Sequence, residues 1–479
     1  MYEYGSFIEG NWRSGGDRFV TRNPARPSQT VGAYRSASGE DLAEAIRAAR
    51  AAQALWRRIP ALERGDLVAR FVDALAERTE ELARSITLEQ GKPLAEARGE
   101  VGKSCAEARL MVALARRELG EVMPSARPGV RNLVLRRPRG VVAAITPWNF
   151  PILTPMRKIA PALVYGNAIV LKPSEYTPAT ACLIADASRH LLPSGLLQVV
   201  LGGGELASHL VSAHGVDGVT FTGSVATGRK VYAAAAGNLA EISLELGGKN
   251  AAVVHDTDDL DAALDAIVNA AYLCAGQRCT AVSRVIVHRR LHERVLEGIA
   301  RRVGGLRVGD GMQDGVQVGP LTNERQMASV RAMVERGLAD GARAIVGGAP
   351  AVVRGYEEGY FYQPTVLADV QPHHAVAREE IFGPVVSVLA YDTLDEALSI
   401  LNGVEYGLTS ALFSNDQRVV QRFVDESENG MIHVNHGTIP DSHMPFGGIK
   451  NSGVGAYSVG PSAAHFYTTE HSVYLKERP

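Results

Sequence analysis

The chain predicts an α/β protein built on two sheets wound with helices, and three observations carry that expectation. Strand–turn–helix units repeat from Arg136 onward, the texture of a parallel sheet covered by helices. A second series of the same kind begins near Asn250. Residues 132–136 and 472–475 read as extended strands lying outside both series. At 479 residues the chain is long enough for two or three domains with ample core.

Taken in order, residues 40–120 read as helices. Leu42, Ala45, Ile46 and Ala49 recur at helical spacing, and Leu75, Leu82, Ile86 and Leu88 continue the apolar faces. This section is rich in Ala, Arg and Glu, and its charges read as solvated faces of a scaffold. Residues 140–145 form a short apolar strand that meets Thr146-Pro-Trp-Asn-Phe-Pro151, where the prolines fix a turn before a helix over 156–163. Three more strands follow at 167–171, 197–201 and 218–221, each ending in a polar or glycine-rich turn and a helix. In open sheets of this kind ligands bind at the carboxyl ends of the strands, where Lys172, Glu175, Gly223 and Ser224 lie. No G-x-G-x-x-G follows a strand, so a Rossmann-like sheet here would contact its cofactor in another way. Glycine-rich turns still offer backbone N–H groups to a phosphate. In the second series, 251–255, 282–287, 344–346, 385–389 and 430–434 read as strands and 261–270 as a helix. A tail strand needs a pairing partner, so 132–136 and 472–475 point to an oligomeric contact; a frayed terminus is the alternative.

Composition narrows the function classes. A formal net charge of −2, with neither sign dominant, argues against a nucleic-acid or polybasic membrane partner. The start Met1-Tyr-Glu-Tyr-Gly lacks a signal-peptide pattern, and the longest apolar runs are far too short to span a bilayer. Cysteines number four (Cys105, Cys182, Cys274 and Cys279), too few for a disulfide scaffold, which points to a reducing, cytoplasmic setting. Cys274 and Cys279 have no second pair or clustered histidines, so no metal site is expected. Cys279 lies between Gly-Gln-Arg and Thr-Ala-Val. Small neighbours let a substrate approach the sulfur, and an adjacent arginine helps hold a thiolate against a reference pKa of about 8.5. A buried apolar cysteine is the competing reading.

Seven motifs occur in a fixed order: Thr146-Pro-Trp-Asn-Phe-Pro151, Lys172-Pro-Ser-Glu175, Phe221-Thr-Gly-Ser224, Glu245-Leu-Gly-Gly-Lys249, Gly276-Gln-Arg-Cys279, Glu380-Ile-Phe-Gly-Pro384 and Pro445-Phe-Gly-Gly-Ile-Lys450. Together they resemble the NAD(P)-dependent aldehyde dehydrogenase superfamily over nearly the whole chain. That resemblance implies a Rossmann-like dinucleotide-binding domain over 1–117 and 138–247. It implies an α/β catalytic domain over 248–454, and oligomerisation strands at 118–137 and 455–479 that build a homodimer or homotetramer. Cys279 would attack the aldehyde carbon to give a thiohemiacetal, with Asn149 and the Cys279 N–H stabilising the oxyanion. Hydride then passes to the nicotinamide, and Glu245 activates the water that hydrolyses the thioester to a carboxylic acid. Coenzyme A-acylating relatives generally lack that glutamate. The resemblance places Thr146, Pro147, Trp148, Lys172, Ser174, Glu175, Gly223, Ser224, Glu380 and Phe382 around the cofactor. Glu175 favours NAD over NADP, because a carboxylate accepts from ribose hydroxyls and repels a 2′-phosphate; NADP is the second cofactor the family uses.

Arg157, Arg278 and Phe446 are the substrate-side candidates. Arg157 matches an arginine that binds the carboxylate in succinic semialdehyde dehydrogenases, which implies a short anionic semialdehyde. Their second arginine is Leu273 here, and Arg278 also occurs in relatives acting on phosphorylated, phosphonate or hydroxy aldehydes. Arg157, beside Lys158, reads alternatively as part of a scaffold ion pair. After Gly455, where many relatives continue Arg-Glu, this chain has Ala456 and Tyr457, so proton release would take another route. The alternatives to an anionic-semialdehyde enzyme are a generalist aldehyde dehydrogenase, a cofactor-independent cysteine esterase, and a binding protein that kept the fold.

Overall fold

The computed structural model describes residues 1–117 and 120–476. Its first sheet runs, from one edge, Gly453–Val454, Glu241–Glu245, Gly218–Thr222, Val141–Ile145, Ala168–Lys172, Leu197–Val199, Phe7–Ile8 and Asn11–Trp12. The five central strands are parallel. Val141–Ile145 and Ala168–Lys172 are buried at every residue, as a strand covered by helices on both faces must be. From Val141–Ile145 the chain winds outward through Ala168–Lys172 and Leu197–Val199, then returns to the other side for Gly218–Thr222 and Glu241–Glu245. The order therefore reverses between Val141–Ile145 and Gly218–Thr222. That reversal opens a crevice at the carboxyl ends of these two strands.

The second sheet, Arg343–Val346, Thr365–Ala368, Val385–Tyr391, Arg284–His288, Ala251–Val254, Thr409–Phe413 and Met431–Val434, is parallel except at its first edge strand. Each sheet has its own hydrophobic cluster. The first includes Trp56, Phe71, Leu75, Ile86 and Val101 from the N-terminal helices; the second gathers around Val253, Ile286, Leu389 and Leu412. A small third cluster of Leu408, Met431, Phe446 and Val459 packs against Cys279.

The helical expectation over 40–120 resolves into Gly39–Trp56, Ala61–Glu77, Thr79–Gln90 and Leu94–Ala115. The tail strands are longer than expected, Val130–Pro138 and Thr468–Lys476, and they pair with each other, His471 opposite Leu135. Their pairing partner thus lies in the same chain, with Gly120–Met123 as third strand. This sheet still exposes Val122, Met123, Tyr474 and Leu475. Residues 118–119 and 477–479 of the expected oligomerisation segments lie outside the described residues. The N-terminal strands went unread in the sequence because Phe7–Ile8 and Asn11–Trp12 are only two residues each, too short for any period to register. Among the described residues no helix is long and apolar enough to cross a membrane.

Candidate active site

Cys279 follows a tightly wound approach. After the helix Leu260–Tyr272, a short 3-10 turn covers Leu273–Gly276, and within it Cys274, Ala275 and Gly276 all take positive φ, 56°, 53° and 67°. Two non-glycine residues in that region cost energy that the surroundings must supply. Gly276 is required for space as well: a Cβ there would lie 2.1 Å from the Gly383 carbonyl. Two sequence motifs far apart in the chain are thereby locked together. The Asn250 amide donates to the carbonyls of Cys279 (2.6 Å) and Ala281 (2.9 Å), and the Asn149 amide donates to the Gln277 carbonyl (2.9 Å). The nucleophile loop and the Thr146–Pro151 turn are thus hydrogen-bonded to each other.

One cavity of about 600 Å³ receives both. Cys279, Asn149 and Glu245 line it, as do Pro147, Trp148, Gly223, Ser224, Glu380 and Phe382 on one side and Arg157, Arg278 and Phe446 on the other. Thr146, Lys172, Ser174 and Glu175 are outside its lining. They sit one strand further on, where the Thr146 N–H donates to the Lys172 carbonyl (3.2 Å) and Lys172 Nζ meets Glu175 Oε2 at 3.3 Å.

Burial sets the electrostatics. It pushes the Cys279 thiol up to about 11; Arg157 opposes this most, Glu245 and Glu380 add to it, and Arg278 opposes it last. The adjacent arginine therefore does not outweigh desolvation, contrary to the sequence expectation. Glu245, at the end of its strand, has its carboxyl raised by burial, with Lys158 and Arg157 opposing, and its Oε2 has no hydrogen-bond partner among the described residues. Lys158 is buried, its amine pulled down, and it donates to Thr220 Oγ1 (2.8 Å). Glu380, raised to about 7 by burial, accepts from the Gly248 N–H (3.1 Å), and a Cβ on Gly247 would strike its Oε2 at 2.1 Å. The paired glycines after Glu245 exist so that Glu380 can approach.

The helix Leu94–Ala115 supplies what sequence reading missed. Its charges were expected to be solvated, yet Glu100 and Glu107 are buried, and Glu96, Glu100 and Lys103 line the cavity. Buried Lys92 bonds Glu100 Oε2 (2.7 Å) and the Asn149 carbonyl (2.7 Å), while Glu100 Oε1 accepts from the N–H groups of Ile152 (3.0 Å) and Leu153 (3.2 Å). This pair holds the Asn149 turn from behind. The signal was present, since positions 96, 100, 103 and 107 share one helix face. Arg157 does form an ion pair, and its partner is Glu107: Nε and Nη2 reach the two carboxylate oxygens at 2.6 and 2.8 Å. Its guanidinium also lies 4.2 Å from the centre of the Phe446 ring. Arg278, buried, donates to Thr280 Oγ1 at 3.0 Å.

A family model described as the aldehyde dehydrogenase family matches residues 12–473. The chain is 36% identical to the alpha-ketoglutaric semialdehyde dehydrogenase of Bacillus subtilis (strain 168), over 99% of this chain and 98% of that protein. It is 35% identical to a glutarate-semialdehyde dehydrogenase of Pseudomonas aeruginosa, over 95% and 94%. Among solved structures, a betaine aldehyde dehydrogenase variant from Staphylococcus aureus in complex with NAD+ superposes with a TM-score of 0.96 at 31% identity, covering 100% of this chain and 98% of that one.

Proposed function

The chain belongs to the aldehyde dehydrogenase family, nicotinamide-dependent oxidoreductases acting on aldehydes, and from that premise we propose that it oxidises a short anionic semialdehyde to the carboxylic acid with NAD. The observation that carries this reading is the single cavity shared by Cys279, Asn149 and Glu245 with Gly223, Ser224, Glu380 and Phe382.

The residues fit a dinucleotide. Thr146 Oγ1 is buried without a partner among the described residues, an acceptor and donor awaiting a ligand. Gly223 and Ser224 precede the helix Val225–Ala236, whose N-terminus favours a phosphate. Trp148 and Phe382 meet edge to face at 5.4 Å and wall the cavity beside Glu380. In this reading Lys172, Ser174 and Glu175 hold the adenosine ribose and Glu380 the nicotinamide ribose. The bound nicotinamide supplies the hydride acceptor.

The chain's own residues do the rest. Cys279 Sγ bonds to the aldehyde carbon, and the thiol proton leaves toward Glu245, the carboxylate whose burial has raised its basicity. The Asn149 amide, fixed by Gln277, and the Cys279 N–H stabilise the oxyanion. After oxidation Cys279 carries a thioester. Glu245 takes a proton from water, the hydroxyl adds to the acyl carbon, and the C–S bond breaks to return the thiolate and release the acid. With Tyr457 in the place of a carboxylate, Lys158 and Thr220 beside Glu245 offer the proton its way out. An anionic substrate is supported by the cationic lining and by two relatives named for semialdehydes of dicarboxylic acids. Residues 1–117 and 138–247 then hold the cofactor and 248–454 the nucleophile, with the tail sheet joining subunits. The test is Glu245→Gln with NAD and succinic semialdehyde. It should give one burst of NADH per active site and then stall; a steady-state rate equal to that of the unsubstituted enzyme would overturn the hydrolytic assignment.

A further inference from the structure

Sequence matching assigns the substrate's anion to Arg157, but the charges around the cavity are already apportioned in a way that leaves that residue occupied. Lys92 is paired with Glu100, and Arg157 is held through two N–H groups by Glu107, itself buried. Lys158 faces Glu245. Two cations lining the cavity have no carboxylate within ion-pair distance other than a marginal one: Lys103, whose Nζ is 4.0 Å from Glu107 Oε1, and Arg278, whose bond among the described residues goes to the Thr280 hydroxyl. The remaining close bond of Lys103 is a donation to the Pro440 carbonyl, which neutralises nothing.

We propose that Lys103, together with Arg278, binds the distal anionic group of the aldehyde, and that Arg157 orients this pocket while its own charge is spent on Glu107. This rests on the reading of the protein as an enzyme of anionic aldehydes and names the residue that enforces it. Lys103 lies one helical turn from both Glu100 and Glu107 on the helix Leu94–Ala115, so the same helix that braces the Asn149 turn also presents the substrate's counter-charge. Pro440 lines the cavity too, and its carbonyl fixes the direction of the Lys103 stem while leaving two of the three ammonium N–H groups for a ligand. A carboxylate, sulfonate or phosphonate would each satisfy this pair. An uncharged aldehyde would leave Lys103 and Arg278 crowded together with no anion between them.

The surroundings of Lys103 agree. Burial pulls its amine down to about 8; Arg157 and, more weakly, Arg278 add to the fall, while Glu107 and Asp441 oppose it. These four charges come from the neighbouring helix Leu153–Val164, the nucleophile loop, the lysine's own helix and the segment after Pro440. A bound anion reverses the deficit. The cationic form is the one that binds, so kcat/KM for an anionic aldehyde should fall as pH rises through about 8.

The experiment compares kcat/KM for succinic semialdehyde and butanal, the same carbon chain without the carboxylate, in the unsubstituted enzyme, Lys103→Met, Lys103→Arg and Arg157→Leu. A charge-assisted contact of this kind is worth about tenfold to 150-fold. Lys103→Met should lower the succinic semialdehyde to butanal ratio by that factor, mainly through KM, and abolish the alkaline fall seen only with the anionic aldehyde. Lys103→Arg should keep the ratio within about threefold and move the alkaline fall above the measurable range, because arginine stays charged. A ratio untouched in Lys103→Met but lost in Arg157→Leu would overturn the assignment and return the anion to Arg157, with the anionic-substrate reading intact. A ratio near one in the unsubstituted enzyme would instead overturn the anionic-substrate reading itself. Loss of the preference in Lys103→Met without any change in pH dependence would also count against direct contact.

Discussion

The two ends of the cavity were built in different ways. At the cofactor end, Thr146–Trp148 and Gly223–Ser224 follow directly from the two strands between which the sheet order reverses. Backbone geometry places these residues, and their pattern survives in the sequence as contiguous motifs. At the substrate end, Lys103 and Glu107 come from one helix, Arg157 from another, Arg278 from the nucleophile loop and Pro440 from a late segment. Side-chain pairing holds that end together, and the paired residues are about fifty positions apart in the chain. A parallel sheet thus fixes one binding surface by topology, while the other is fixed by buried ion pairs that can be exchanged one at a time.

That contrast predicts unequal sensitivity. The largest effect should come from Glu107→Leu, which strands the buried Arg157 charge. Removing one partner of a buried pair costs about 3–5 kcal/mol, so the thermal midpoint and the urea midpoint should both fall. The corresponding change at the cofactor end, Glu175→Leu, breaks a pair whose carboxylate is 42% exposed and should cost under about 1 kcal/mol. Equal losses would erase the distinction between the two ends.

Next in size is Asn149→Ala, between the ends. Loss of one oxyanion donor should lower kcat by about 10²–10³-fold, or ~2.7–4 kcal/mol, for succinic semialdehyde and butanal alike. A loss confined to one aldehyde would make Asn149 a substrate contact.

The smallest effect belongs to the cofactor end. Glu175→Ala should shift the ratio of kcat/KM with NAD to that with NADP by about tenfold toward NADP, since a carboxylate that repels the 2′-phosphate is gone. The succinic semialdehyde to butanal ratio should stay where it was. Movement of both ratios together would mean that the two ends are coupled.

Legibility in the sequence follows the same division. Strands buried on both faces, such as Val141–Ile145 and Ala251–Val254, announce themselves as apolar runs bounded by turns, and the fold class and both sheets were readable from them. Cys279, Glu245 and Asn149 stood inside recognisable motifs, and they share one cavity. Glu100 and Glu107 were taken for solvated charge, because a helix rich in Ala, Arg and Glu looks alike whether its glutamates meet water or a buried cation. The partner of Arg157 was sought at its neighbour Lys158 and lies fifty residues earlier. The expected help from Arg278 in ionising Cys279 failed for a related reason: adjacency in sequence reveals charge but not the desolvation that outweighs it.

The central claim is that Cys279 carries the acyl group and Glu245 releases it. The most direct measurement mixes Glu245→Gln with NAD and succinic semialdehyde, quenches in acid and locates any added mass on the digested chain. A succinyl group on the peptide containing Cys279, absent when NAD is omitted and absent in Cys279→Ser, is the predicted result. An unmodified Cys279 while NADH continues to form, or an acyl group on another residue, would contradict the account.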